Sequence, residues 1–235
     1  MTRKIKAVGL ALLLAATATS ALLATGASAE EEGKPGTLTA VEYPATLDGT
    51  DDTGTNAFTL FGESIVCPDS SYTGQITKAT TTITITPTYN NANCSAGGGG
   101  HKVTITMNGC DYLFHIKGTT EAFVDNYFIS VDLLCPAGKD VEIHKYLNAK
   151  DETVQICKYT IKEQKGITGG KIENEVDGTG KTTGTLTLEN TLKGILATKT
   201  GTCGEGVTEL GGYDVHITFK GTNAKGAANS LSITD

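Results

Sequence analysis

The sequence predicts an all-β fold, an antiparallel β-sandwich-like structure whose two pseudo-repeated halves are stapled together by disulfides. Three observations predict it: runs in which apolar and polar residues alternate, an even number of cysteines, and a set of landmarks that occurs twice in the same order. Alternation with period two among β-branched residues is typical of strands that turn one face to a core and the other to water.

The first 29 residues have the pattern of a secretory signal peptide. A basic start (Arg3, Lys4 and Lys6) precedes an apolar stretch, and a small-residue motif ends at Ala29. A retained membrane anchor is the alternative, but a spanning helix needs about 20 apolar residues and this run is diluted by small and polar ones. No later segment is apolar enough to cross a bilayer. We therefore expect a secreted, extracellular protein with no membrane span after cleavage.

The mature chain is acidic. Cleavage after Ala29 removes three basic residues and no acidic one, which leaves 16 basic and 26 acidic residues and a net charge of −10. Such a surface repels phosphate backbones, so we expect no nucleic-acid partner. Acidity is also typical of soluble extracellular proteins in general.

Strand-like runs recur along the mature chain, separated by polar, glycine-rich breaks. The clearest are TTITITPT (Thr81–Thr88), KVTITM (Lys102–Met107), GTLTLEN (Gly184–Asn190) and YDVHITF (Tyr213–Phe219). One stretch, IHKYLNAKDE (Ile143–Glu152), is instead predicted as a short helix. Regularly spaced strands with polar turns indicate a sandwich or another all-β architecture.

An internal echo divides the chain. CDYLFHIKGTTEA, from Cys110, is matched by GYDVHITFKGTNA, from Gly212, and each of two Ala-Phe motifs precedes a Cys-Pro and a further cysteine. Chance in a chain rich in Thr and Gly is the alternative to duplication. The prediction is a signal peptide (1–29), an N-terminal strand with an Asp/Gly-rich loop (30–56), a first β half (57–121) and a second β half (122–235) that contains a Gly/Thr-rich insertion at about 162–205.

An even number of cysteines in an exported chain predicts three disulfides. The six are Cys67, Cys94, Cys110, Cys135, Cys157 and Cys203. None forms a C-x-x-C pair, which argues against a thiol oxidoreductase and against a structural zinc site. The echo predicts the equivalent pairs Cys67–Cys94 and Cys135–Cys157, which leaves Cys110–Cys203 to join the halves.

The landmarks CP, MNGCDY and CPAGK also carry a resemblance. They lie in the order CP, YTG, TPTYNNANC, VTITMNGCDYLFHI and DLLCPAGK, from about Phe58 onward. The chain resembles a recurrent group of exported bacterial β-rich, cysteine-containing proteins of unassigned function. The resemblance implies export and a β architecture, and it implies no activity.

The Asp/Gly-rich loop offers a candidate calcium site. Asp48, Asp51, Asp52 and Asn56 supply oxygen ligands within nine residues, and hard oxygens suit Ca²⁺. The spacing does not match an EF-hand loop, and the same residues form ordinary surface turns. A structural calcium ion is the one cofactor considered; otherwise we expect none.

Catalytic patterns are weak. His115 and His216 occupy equivalent places in the echo, where alternation predicts that they lie on the solvent face of strands; a metal site shared by the halves is the alternative. Glu63, Asp111 and Asp132 are carboxylates that could pair for glycoside hydrolysis, but the sequence does not bring two of them together.

The expected function is a non-catalytic structural or interaction role at or near the bacterial cell surface, with cell-wall polysaccharide or another extracellular protein as partner. The alternative is a carbohydrate- or calcium-dependent binding module that uses the loop at 48–56 and exposed tyrosines such as Tyr72, Tyr89 or Tyr146. A secreted hydrolase is the third hypothesis, which a histidine–carboxylate pair in a cleft would favour.

Overall fold

The computed structural model describes residues 34–51, 53–54, 56–119, 126–179, 181–203 and 208–234. The predicted signal peptide and Asp52 of the predicted calcium loop lie outside these residues. Every regular element among the described residues is a strand, and all strand pairs are antiparallel, so the predicted all-β antiparallel class is confirmed. In the described part of the chain, no helix is long and apolar enough to span a membrane.

The strands are β1 (Thr37–Ala40), β2 (Ala45–Asp51), β3 (Ala57–Leu60), β4 (Glu63–Val66), β5 (Ser70–Ile76), β6 (Thr82–Tyr89), β7 (Ser95–Ala96), β8 (His101–Thr106), β9 (Asp111–Thr119), β10 (Asn126–Leu134), β11 (Val141–Tyr146), β12 (Gln155–Ile161), β13 (Gln164–Val176), β14 (Thr182–Gly201), β15 (Thr208–Asn223) and β16 (Leu231–Thr234).

Strands β2 to β15 form one closed sheet in which the chain runs up and down. Six long segments are each interrupted once: β2 leads into β3, β4 into β5, β6 into β7, β8 into β9, β10 into β11 and β12 into β13. Each segment pairs with the next along the chain, and the last two segments are β14 and β15. The sheet closes because β15 pairs with both β2 and β3. Among the described strands of this sheet, closure leaves no exposed edge.

The predicted division into two halves is not confirmed. Strand β15, from the predicted second half, pairs with β14 along one edge and with β2 and then β3, from the predicted N-terminal and first-half regions, along its other edge. The predicted Gly/Thr-rich insertion forms β13 and β14, which include the longest strand of the sheet. The buried residues of both halves belong to one hydrophobic core.

The predicted helix at Ile143–Glu152 is wrong. Its first residues belong to β11, where Val141 and Ile143 are buried and Glu142 between them is only partly buried. β11 pairs with β8 on one side and β12 on the other, so its backbone hydrogen bonds are satisfied by the sheet. A bend follows Tyr146.

Two disulfide predictions are wrong and one is right. The structure joins Cys67 to Cys94, as predicted, but it joins Cys110 to Cys135 and Cys157 to Cys203 instead of the predicted Cys135–Cys157 and Cys110–Cys203. The reason is adjacency in the closed sheet, because the first two bridges link neighbouring segments where both are interrupted.

The interruption between β8 and β9 shows how such a break is built. Asn108 and Gly109 both have positive φ angles (53° and 84°), a conformation that Gly and Asn tolerate best. The N–H of Cys110 donates to the carbonyl of Met107, so the turn is hydrogen-bonded. The MNGCDY landmark is therefore the sequence of one break, with its cysteine placed to reach the next segment.

One end of the closed sheet is plugged by the ribbon of β1 and β16. Leu38, Leu231 and Ile233 are buried in it, and the Asn174 amide bonds both the N–H and the carbonyl of Ile233. The adjoining apolar interior contains a void of only about 10 Å³, too little for more than a single water molecule. The interior at this end, as lined by the described residues, is packed.

Candidate functional site

An open groove of about 710 Å³ lies on the outer face of the sheet, over β13, β14 and β15. Its lining is polar: three carboxylates, several hydroxyls, an amide, a lysine and a histidine. The strands alternate, so the neighbours of these side chains point inward and are buried, among them Ile172, Leu188 and Ile217. The sheet therefore presents a fixed set of hydrogen-bonding groups on a rigid base.

A row of four outer-face side chains runs at right angles to the strands, and three of them, Lys171, Glu189 and His216, line the groove. Phe128 of β10 pairs with Lys171 of β13, Lys171 with Glu189 of β14, and Glu189 with His216 of β15. Neighbouring strands lie about 4.8 Å apart, so the row is about 14 Å long. Cross-strand neighbours on one face interact directly.

The acidic end of the row is held by hydrogen bonds. His216 Nε2 lies 2.9 Å from Glu189 Oε1, and the His216 side chain is 27% exposed while that of Glu189 is 64% exposed. The His216 backbone N–H donates to Asn56 Oδ1 at 3.3 Å. His216 Nδ1 is buried and has no hydrogen-bond partner among the described residues. The imidazole is therefore oriented through its other nitrogen, toward Glu189.

Asp214 lies beside this pair. Its Oδ1 accepts a hydrogen bond from Thr191 Oγ1, the residue opposite it on β14. Within the described part of the chain, the second oxygens of Asp214 and Glu189 have no protein partner. Each carboxylate thus has one oxygen that orients it and one oxygen available to a ligand.

The other end of the row is aromatic. Phe128 is half-buried, and Lys171 Nζ lies 5.7 Å from the centroid of its ring. This distance is within the range of a cation–π contact. The row therefore begins at an aromatic ring beside the groove and ends among the oriented carboxylates that line it.

The other histidine of the echo, His115, also pairs with a carboxylate on the outer face, but at a different place in the sheet. His115 Nε2 lies 3.0 Å from Asp132 Oδ2, and the N–H of Gly166 donates to Asp132 Oδ1 at 2.8 Å. Burial alone would raise the pKa of Asp132, but the hydrogen bonds from Gly166 and His115 hold it below its usual value. His115 lies on β9 and His216 on β15, four segments apart in a closed sheet of eight. The structure does not bring the two together as ligands of one metal ion.

The tyrosines predicted as exposed ligand contacts are largely internal. Tyr72 and Tyr89 are buried, so this prediction is wrong for both; they lie at inward positions near the middle of the sheet. Tyr72 Oη contacts Tyr213 Oη, and Tyr89 Oη lies 3.2 Å from Tyr112 Oη. Burial raises the pKa of Tyr112 to about 12. Tyr146 remains half-buried at the end of β11.

The predicted calcium ligands do not converge among the residues that the structure describes. Asp48 is exposed in β2, opposite Lys220 and Thr73. Asp51 Oδ1 accepts hydrogen bonds from Thr53 and Gly54. Asn56 is buried, and its amide nitrogen donates to Tyr72 Oη at 2.8 Å. No group of three or more His, Cys, Asp or Glu residues suited to a metal ion occurs in the described segments.

The three carboxylates considered for hydrolysis are engaged separately. Glu63 contacts Lys145 Nζ and accepts a hydrogen bond from Tyr159 Oη at 2.6 Å. Burial would raise the pKa of Glu63, but the hydrogen bonds from Lys145 and Tyr159 lower it overall. Asp111 accepts from Thr86 Oγ1 at 2.7 Å, and Asp132 bonds to His115 as described.

Sequence reasoning missed Glu189, Asp214 and Lys171, the groups that accompany His216 in the groove. Alternation within each strand could place them on outer faces. It could not show that they are neighbours, because that depends on the register between strands.

Neither a protein-family model, nor a curated protein, nor a solved structure matches this chain.

Proposed function

We propose that this protein is a secreted, non-catalytic binding protein that acts at or near the bacterial cell surface through the groove over β13, β14 and β15. Three disulfides fit an oxidising, non-cytoplasmic environment. The packed interior at the plugged end favours a ligand that binds on the outer face. The groove supplies convergent, oriented polar groups that can hold a polar ligand by hydrogen bonds.

The single observation that carries this proposal is the orientation of Glu189 and Asp214. Each carboxylate is held by a neighbour and retains an oxygen with no partner among the described residues. Ordered carboxylates with a remaining acceptor recognise hydroxyl or amine groups, and charge-assisted hydrogen bonds are about twice as strong as neutral ones. The proposed partner is therefore an extracellular polymer that bears hydroxyl or amine groups, and cell-wall polysaccharide is the leading candidate.

The test is a pull-down of the purified mature protein with cell-wall and polysaccharide preparations, in Ca²⁺ and in chelator. Glu189→Gln removes a groove charge while keeping the side chain's shape. Asp132→Asn is the matched control, because it changes the other outer-face histidine–carboxylate pair. Retention that Glu189→Gln abolishes and Asp132→Asn preserves supports the proposal. Retention that is equal in both variants, or absent from the wild type, refutes it.

A secreted hydrolase is the second candidate, favoured by the His216–Glu189 pair beside Asp214 in the groove. A histidine and two carboxylates could move protons at a glycosidic bond. The test is the release of reducing ends from the retained polysaccharide. Release by the wild type that is lost in Glu189→Gln supports a hydrolase, and no release leaves the binding function.

A further inference from the structure

We propose that the groove binds an extended, uncharged β-1,4-linked polysaccharide that lies across the strands, along the row from Phe128 to His216. This inference rests on the proposed binding function and names the ligand class of the same groove. It follows from the direction of the row, from its two chemically different ends and from the charge of the lining.

The direction of the row comes from strand register. Phe128, Lys171, Glu189 and His216 are consecutive cross-strand partners, so the row meets one strand at each step. The rings of an extended β-1,4-linked pyranose chain repeat at about 5 Å, close to the ~4.8 Å between neighbouring strands. Successive sugars therefore face successive strands, with alternate rings turned over. An α-1,4-linked chain curls and loses this match after one or two units.

The second row of the groove supports the same orientation. Asn126 pairs with Glu173, and Glu173 with Thr187, so these three side chains run parallel to the first row on the same face. Thr187 pairs in turn with Thr218 of β15. A chain lying along the first row has an amide, a carboxylate and hydroxyls along one side. On its other side it has Thr191 and Asp214.

The ends of the row suit different parts of a sugar. The apolar face of a pyranose ring stacks on an aromatic ring, and half-buried Phe128, next to Lys171 in the row, supplies one beside the groove. Neighbouring equatorial hydroxyls donate to carboxylate oxygens, and Glu189 and Asp214 supply those at the other end. A row of about 14 Å accommodates about three sugar units between these contacts.

The charge of the lining selects against polyanions. Glu173, Glu189 and Asp214 face the groove with Lys171 as the lysine among its lining residues. The mature chain as a whole carries −10. Like charge disfavours the approach of uronic-acid or sulfated chains. The ligand is therefore not a polyanion, and in an uncharged chain hydroxyl or acetamido groups are the donors.

The first experiment is calorimetric titration of the mature protein with glucose oligomers of β-1,4 linkage, from the dimer to the hexamer. N-acetylglucosamine oligomers of the same linkage are the second series. The matched ligand control is the α-1,4-linked glucose hexamer, which has the same sugar. We expect affinity to rise with length up to about three units and then to level off. The α-linked hexamer is expected to bind roughly tenfold more weakly or worse.

The variants separate the groove from the rest of the surface. Phe128→Ala and Glu189→Gln are each expected to lower affinity roughly tenfold or more, because each removes a ring contact or a charged acceptor. His115→Gln and Asp132→Asn are expected to leave it unchanged. Circular dichroism melts establish that each variant is folded. Native gels that contain either neutral hydroxyethylcellulose or anionic carboxymethylcellulose test the charge preference. We expect the protein to be retarded in the neutral polymer and not in the anionic one.

The outcomes distinguish this inference from the proposed function. Equal binding of α- and β-linked hexamers, or groove variants that bind like the wild type, overturns the inference. A third outcome is retention on cell-wall polymers that Glu189→Gln abolishes, together with no binding of any β-1,4 oligomer. That result would support the proposed function and overturn the ligand class. Absence of both overturns both.

Discussion

Replacing Cys110 and Cys135 together by alanine is expected to lower the free energy of unfolding by about 3.5 kcal/mol. The structure places a disulfide between these residues, with a sequence separation of 25. Cross-linking reduces the entropy of the unfolded chain by an amount that grows with the logarithm of the loop length, which gives about 3.5 kcal/mol for this loop at 25 °C. The Cys67–Cys94 bridge, with a separation of 27, should contribute about the same.

The assay is urea unfolding of the mature double variant beside the wild type, with Cys67→Ala/Cys94→Ala as the matched comparison. A loss of this size corresponds to a fall in melting temperature of about 7–14 °C in a domain of this length. Both double variants should lose nearly equal amounts if unfolded-chain entropy dominates. Peptide mapping without reduction reports the pairing directly.

Two results would refute the reasoning. A loss below about 1 kcal/mol would show that the bridge does not restrict the unfolded chain as calculated. A peptide joining Cys135 to Cys157 would show that the bridges follow the internal echo and not the neighbouring breaks of the sheet.

Three further predictions concern other parts of the fold. Tyr213→Phe removes the hydroxyl that contacts Tyr72 in the buried cluster, so the free energy of unfolding should fall by about 1–3 kcal/mol in urea; an unchanged midpoint would contradict the contact. Glu63 has a folded-state pKa below its unfolded value, so its stabilisation is present above the unfolded pKa and is lost as the pH falls through the folded one. Stability of Glu63→Gln should accordingly vary less with pH in the acid range than that of the wild type, and parallel curves would count against it. The melting temperature should be the same in millimolar Ca²⁺ and in chelator, because Asp51 and Asn56 already bond to protein groups; a clear rise in Ca²⁺ would restore the loop at 48–56 as a site.

Local patterns predicted the strands and their faces well. In the echoed stretches, Phe114 and Ile116 are buried and His115 faces outward, as alternation predicts; Val215 and Ile217 flank His216 in the same way. The mistaken helix at Ile143–Glu152 shows the limit of such patterns. A short run of mixed residues fits both the helical period and the strand period of two. It forms a strand here because β11 pairs with β8 on one side and β12 on the other.

Long-range pairing decided what local patterns could not. The echo suggested duplicated halves with equivalent bridges, whereas Cys110 and Cys135 lie at breaks of adjacent segments and pair there. The sequence predicted Tyr72 and Tyr89 as ligand contacts, whereas closure of the sheet places both side chains inside. In each case the residue's environment depends on strands that are distant in sequence.

The amino-acid sequence by itself determined the strand content, the outward position of the histidines and the supply of cysteines, because these depend on residue type and on a period of two within each strand. Only the tertiary structure decided the disulfide partners and the row from Phe128 to His216. That row joins residues on four strands, and a slip of one residue in any pairing would turn a strand's side chains to the opposite face. Register is set by the packing of the whole closed sheet, which no single stretch of the chain contains.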